Sequence, residues 1–213
     1  MIPRRPDGRT PGRPVVGLLA IVLAVGPAGR PAVGQDTLPT GFGTLRRDDI
    51  VVRFATPTLE IHVLPLDPQV IRLLAVDTYR SLAELVRSRA DEIADASGRA
   101  GLDSAALVMV TFLGVVPQAR FNPEDLSITS RGRLFRPAGI VPLSPTWGTH
   151  QLEARQQAAA IYLFEPGIAF AETLSVGYES LTSDAWSRSL RLLEQERVRV
   201  RARARTPPPA PAP

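Results

Sequence analysis

Chemistry on a protein surface needs titratable or nucleophilic side chains held at fixed separations, and this sequence offers few of them. His62 and His150 are its only histidines, and cysteine is absent. Neither histidine stands in a His-x-x-x-His or Asp-rich spacing, so a zinc or calcium centre has no local ligand set to build on. No serine lies in a Gly-x-Ser-x-Gly elbow, and no Gly-x-Gly-x-x-Gly or Walker-type loop occurs; "GFG" at Gly41 is a fragment of one. The acidic pairs Asp48-Asp49 and Glu124-Asp125 supply carboxylates of the kind glycosidases use. Spacing in sequence, however, does not set the ~5 to 10 Å separation such chemistry requires. The expectation is no catalytic residue, no metal and no cofactor.

Recognition chemistry is better represented. The stretch "SRGRLFRPAGIVPLSPTWG", residues 130–148, holds three arginines, three prolines, three glycines and two large aromatics. Arg131, Arg133, Arg136 and Trp147 are the candidate ligand-binding residues, because guanidinium and indole groups stack on sugars and pair with carboxylates. Pro137, Pro142 and Pro145 each remove a backbone donor, which restricts the segment to a sheet edge or a surface connection. The competing and favoured reading is a packed corner, with Leu134, Ile140, Val141 and Leu143 on the core, Trp147 covering an edge and the arginines solvated.

Before either reading can apply, the chain has to be divided. Arg4, Arg5, Arg9 and Arg13 precede an apolar run over residues 15–25, and small residues follow. A basic region, a short apolar region and a small-residue cut site define a secretory signal peptide, expected over residues 1–34 with Ala32 three positions before the bond. Eleven residues rising about 1.5 Å each fall short of a ~30 Å hydrocarbon core, so the alternative, an uncleaved signal anchor in the inner membrane, is the weaker one. Periplasmic or extracellular placement follows.

Export changes the meaning of the charge. The sequence carries 25 basic and 21 acidic residues, net +4. Five of the arginines precede residue 35 and five follow Glu196, while only one acid, Asp7, lies in either stretch. Residues 35–196 therefore hold 15 arginines against 20 acids, net −5. A body of that sign does not favour nucleic acid, whose affinity rests on neutralising phosphates. Lysine is also absent, a bias associated with GC-rich bacterial genomes. Without cysteine the exported domain relies on its core alone, and about 160 residues suffice for one domain.

Residues 35–48 read as a Gly-containing polar linker, and residues 49–196 as the domain. β-rich runs mark strands at 50–54 and 59–66, and period-2 alternation marks 59–66, 125–130 and 173–178, with His62 on the polar side of the 59–66 strand. The apolar, β-branched run at 105–116 suits a central strand, and 158–164 a further one. Between the second and third strands lies a helical insert, residues 68–97, started by Pro68 and stopped by Gly98. "SLAE" at Ser81 suggests a capping box and a break near Asp77. Ser183 or Asp184 can cap a last helix with Trp186, Leu190 and Leu193 as its apolar stripe. Residues 197–213, alternating arginines followed by prolines, read as a disordered tail. Arg197, Arg199, Arg201, Arg203 and Arg205 are its candidate contacts with an anionic surface.

The expected fold is mainly β (α+β): an immunoglobulin-like antiparallel sandwich of about seven strands with an inserted helical segment and a C-terminal helix. The expected function is a non-enzymatic binding or structural module of the bacterial envelope, partnered by another envelope protein or a glycan and not by nucleic acid. The alternative is a periplasmic hydrolase acting on glycan or peptide.

Overall fold

Alternating apolar and polar residues build most of the strands in the computed structural model, which describes residues 41–205, all in the unit Thr37–Pro213. The expected leader over 1–34, the first residues of the linker, and residues 206–213 lie outside the described residues. In chain order the strands are β1 (Val52–Ala55), β2 (Leu59–Pro65), β3 (Ala106–Gly114), β4 (Ala119–Arg120), β5 (Leu126–Ser130), β6 (Arg133–Phe135), β7 (Pro137–Pro142), β8 (Gln151–Leu152), β9 (Gln157–Phe164), β10 (Leu174–Tyr178) and β11 (Leu181–Ser183). Seven of these have four or more residues; β4, β6, β8 and β11 are two or three residues long. The helices are α1 (Pro68–Ile71), α2 (Val76–Ser88), α3 (Ala90–Arg99) and α4 (Trp186–Arg205).

The molecule is mainly β, with antiparallel sheets and a C-terminal helix. A five-stranded sheet runs β1-β2-β3-β9-β7, a four-stranded sheet β11-β10-β5-β6, and β4 pairs with β8. β3 is central in the larger sheet, as its apolar run requires. β7 lies at that sheet's edge, because Pro137 and Pro142 cannot donate to a second neighbour. Arg131 and Gly132 turn β5 into β6 with φ of 52° and 74°. Paired positive φ values match the twist of a tight hairpin.

Register divides the larger sheet into two faces. Val52, Val63, Val110, Ala160 and Pro142 form one cross-strand row, and Phe54, Ile61, Phe112 and Ala158 the next, on the face turned to the smaller sheet. There Phe112 meets Tyr178 of β10 at 5.5 Å, Phe121 at 4.6 Å and Trp147 at 5.9 Å between ring centroids. Such offset and tilted rings add to their area burial. The hydroxyls of the two buried tyrosines are used: Tyr162 donates to the Pro123 carbonyl at 3.0 Å, and Tyr178 accepts the Asn122 amide at 2.9 Å.

The opposite face is covered at one end only. Leu64, Met109, Ile161 and Val141 form a buried row there, and α3 packs on β7 and β9 with Ala96 against Gly139. The insert starts as expected at Pro68, where the Asp67 carboxylate caps the Gln69 and Val70 amides at 2.8 and 3.2 Å. A short first helix gives way to a longer second one just ahead of Asp77, as expected; Ser81 lies inside α2 and caps nothing, and a further break falls at Arg89. Gly98 is helical, and Gly101, at φ 66°, follows the true end.

Two segments expected to lie outside the domain belong to it. Within the 35–48 linker, the Gly43 amide donates to the Arg72 carbonyl at 2.9 Å and the Leu45 amide to the Leu73 carbonyl at 3.1 Å. Gly43 is there for proximity, since a Cβ at that position would fall 1.9 Å from the Leu73 carbonyl oxygen. At the other end, α4 does not stop at Glu196. It continues to Arg205, so residues 197–205 of the expected disordered tail are helical. Arginine and alanine are good helix formers, Val200 packs against the core, and Glu196 is fully buried with bonded partners.

Candidate functional site

The four candidate residues of the 130–148 stretch do not form one surface. Trp147 is only 6% exposed and stands among Phe112, Phe121 and Tyr162, so it is a core residue and has no free face for a sugar. Of the apolar residues expected to pack, Val141 is buried, Ile140 and Leu143 are half-buried, and Leu134 is exposed. Leu134 faces outward because β6 is an edge strand only three residues long, and alternation turns its middle residue away from the core.

Each of the two hairpin arginines has an acid partner. Arg131 grips Glu172 through two bonds, from Nε to Oε2 at 2.8 Å and from Nη2 to Oε1. The bond to Arg131 holds the Glu172 carboxyl below its ordinary range and raises the guanidinium in turn. Arg133 pairs with Glu165 and lies 4.7 Å from the centre of the Phe135 ring. Arg136 has no ion pair among the described residues; it borders a hollow of about 440 Å³ with Glu124, Pro137 and Ile140. The stretch is thus a packed corner with a charged rim.

A different set of polar side chains does converge. On the uncovered end of the larger sheet, Arg53, His62, Thr111 and Ala159 are cross-strand neighbours in one row. Asp48, from a single helical turn at Arg47–Asp49, reaches the Arg53 guanidinium at 2.5 Å. His62 Nε2 lies 2.7 Å from Glu60 Oε1, two residues along the same strand and on the same face. Arg47, Asp48, Arg53, His62 and Thr111, with Gln157 and the half-buried or buried Ala159, Met109 and Val51, line an open groove of about 350 Å³; Glu60 holds His62 from outside that lining.

The groove's chemistry follows from that lining. Two arginines (Arg47 and Arg53), the His62 imidazole and one carboxylate (Asp48) surround an apolar floor, which fits a polar ligand that carries acidic groups. Alternation in β2 places His62 on the polar side; nothing in the sequence links it to Asp48, which looks like linker. Among the described residues no cluster of histidine and acidic side chains is arranged to hold a metal ion. No helix among them is long and apolar enough to cross a membrane.

Comparison with models of known protein families, with curated proteins and with solved structures returned no match to this chain.

Proposed function

We propose that the protein is an exported, non-enzymatic binding or structural module of the bacterial envelope, and that the groove over Arg53, His62 and Thr111 is its contact surface for a glycan or another envelope protein. The observation that carries this reading is the way its charges are arranged. Arg53, Arg131 and Arg133 each meet one carboxylate on an open surface, while the interior between the sheets is filled by Phe112, Phe121, Trp147, Tyr162 and Tyr178. Open, paired charges favour recognition over chemistry, which draws on groups gathered in a concave, water-poor site. The architecture we propose is immunoglobulin-like in the sense of two antiparallel layers facing across one core, with sheet orders of its own.

The rival, a periplasmic hydrolase of glycan or peptide, draws on the His62–Glu60 pair as a base with its orienting carboxylate. One experiment separates the two. Purified protein is incubated with peptidoglycan or outer-membrane fragments, and both retention and release of soluble pieces are measured. Retention that Arg53→Ala and His62→Ala weaken, without release, supports the binding module. Release abolished by His62→Ala establishes the hydrolase. Export is tested on the producing cell: the envelope fraction should contain a chain beginning near Gln35, and an intact chain confined to the cytosol overturns that part.

A further inference from the structure

The C-terminal half of α4 carries Arg197, Arg199, Arg201, Arg203 and Arg205, and the chain has no acidic residue after Glu196. Among the described residues, the side chains of two of the five are bonded to other groups of the protein. Arg199 Nη1 lies 3.4 Å from Glu196 Oε2, and Arg203 Nη2 donates to Glu196 Oε1 at 3.1 Å and to the Phe42 carbonyl at 2.9 Å. Arg197, Arg201 and Arg205 have no ion pair among the described residues. Spaced by four, they drift only about 40° per step around the helix and span roughly 12 Å along it. Val198, 65% exposed, and Ala202 lie beside them on the outer side.

Helix polarity does not explain this stripe. Cations near a helix C-terminus are favoured, but the effect fades within the last turn, which covers Arg203 and Arg205 and leaves Arg197 and Arg201 unaccounted for. Nor does the core require it, since the inward side of α4 is already occupied by Trp186, Leu190, Leu193 and Glu196. The anchoring of Arg203 to Phe42 and of Glu196 to Thr44 fixes the direction of the helix end. The basic stripe is therefore held rigidly at the corner where the chain enters the domain.

We propose that this stripe is a docking face for the anionic headgroups of a phospholipid surface. Guanidinium groups bind phosphate through paired bonds and keep their charge at any physiological pH. The small apolar side chains between them suit the headgroup boundary. Charge distribution favours an anionic headgroup surface over a nucleic-acid duplex: residues 35–196 carry net −5, which opposes the many phosphate contacts a duplex relies on. This inference does not depend on the groove or on export.

The test uses the full chain with vesicles of phosphatidylcholine alone and of equal parts phosphatidylcholine and phosphatidylglycerol. The readout is the ratio of the two partition coefficients. Replacing Arg197, Arg201 and Arg205 together by glutamine, which preserves helix propensity, should lower that ratio on the order of 100-fold, and added salt should lower the wild-type ratio. The double change Arg131→Gln and Arg133→Gln should leave it within about 3-fold, because each of those arginines is already paired with a glutamate. Circular dichroism melts verify that each variant is folded. A triple variant that keeps the wild-type ratio overturns the proposal, as does wild-type protein that prefers a double-stranded oligonucleotide to the anionic vesicles at equal ionic strength.

Discussion

Thr44 and Glu196, 152 residues apart in sequence, are bonded twice: the threonine amide and hydroxyl both donate to Glu196 Oε1, at 3.0 and 3.1 Å. The carboxylate is fully buried, and Arg199 and Arg203 complete its shell from the solvent side. This clamp joins the segment ahead of β1 to the last helix. Glu196→Ala strands the Thr44 donors and is expected to cost about 1.5 to 3 kcal/mol or more, the range for hydrogen bonds to a charged group. Thr44→Val removes one donor and should cost about 1 kcal/mol. Urea melts of both single variants and the double variant test the linkage, and strict additivity would show that the two residues act independently.

Trp147 and Arg133 lie in the same nineteen-residue stretch and should behave oppositely. Trp147→Ala empties a site between the rings of Phe112, Phe121 and Tyr162 and is expected to cost roughly 3 to 5 kcal/mol. Arg133→Ala removes an exposed pair and should stay within about 0.5 kcal/mol. Thermal melts decide the matter, and equal losses in the two variants would contradict the packed-corner arrangement.

Gly43→Ala tests whether the segment ahead of β1 is part of the fold. A methyl group cannot occupy the space taken by the Leu73 carbonyl, so residues 43–45 must lift off. Hydrogen exchange should then quicken at the Leu45 and Ala75 amides, which bond across this contact. Unchanged protection at both amides would mean that the segment does not need the close approach.

Alkaline pH should loosen the contact between the sheets. Burial pushes the Tyr178 phenol up to about 12 and raises Tyr162 as well. The fold thus prefers neutral phenols, whose unfolded value is about 10. Stability from this preference is complete below about pH 10 and is lost as pH rises toward 12. Phenolate absorbance and fluorescence should change together across that window, and ionisation of all tyrosines near pH 10 without unfolding would refute it. On the acid side, the Glu172 contribution is present above the ordinary carboxylate range and is lost as pH falls through its lowered folded value. Exposure keeps that contribution small.

Local pattern made the sheets readable and the long-range clamps unreadable. Leu59, Ile61 and Val63 alternate with polar residues because one side of β2 faces the core, and Pro137 with Pro142 mark an edge because they lack donors. Gly43 resembles a flexible spacer in sequence; its reason for being glycine is a carbonyl thirty residues away. Glu196 ends an apolar stripe at a position where helices commonly become polar, and only Thr44 and Arg203 reveal that it points inward. The groove was half legible, since alternation exposes His62 while the register that brings Arg53 and Thr111 beside it depends on strand pairing.

The prolines of β7 also bear on what the protein does when crowded. A sheet edge with a full row of amides is a template on which another copy can extend the ladder. On β7, donors are missing at both ends of the strand, and the register slips between Pro137 and Gly139. That edge is a poor seed for cross-β growth, which resists coaggregation in a molecule that has no disulfide to fall back on. Restoring amides at Pro137 and Pro142 would leave the core untouched and turn a blunt margin into an adhesive one.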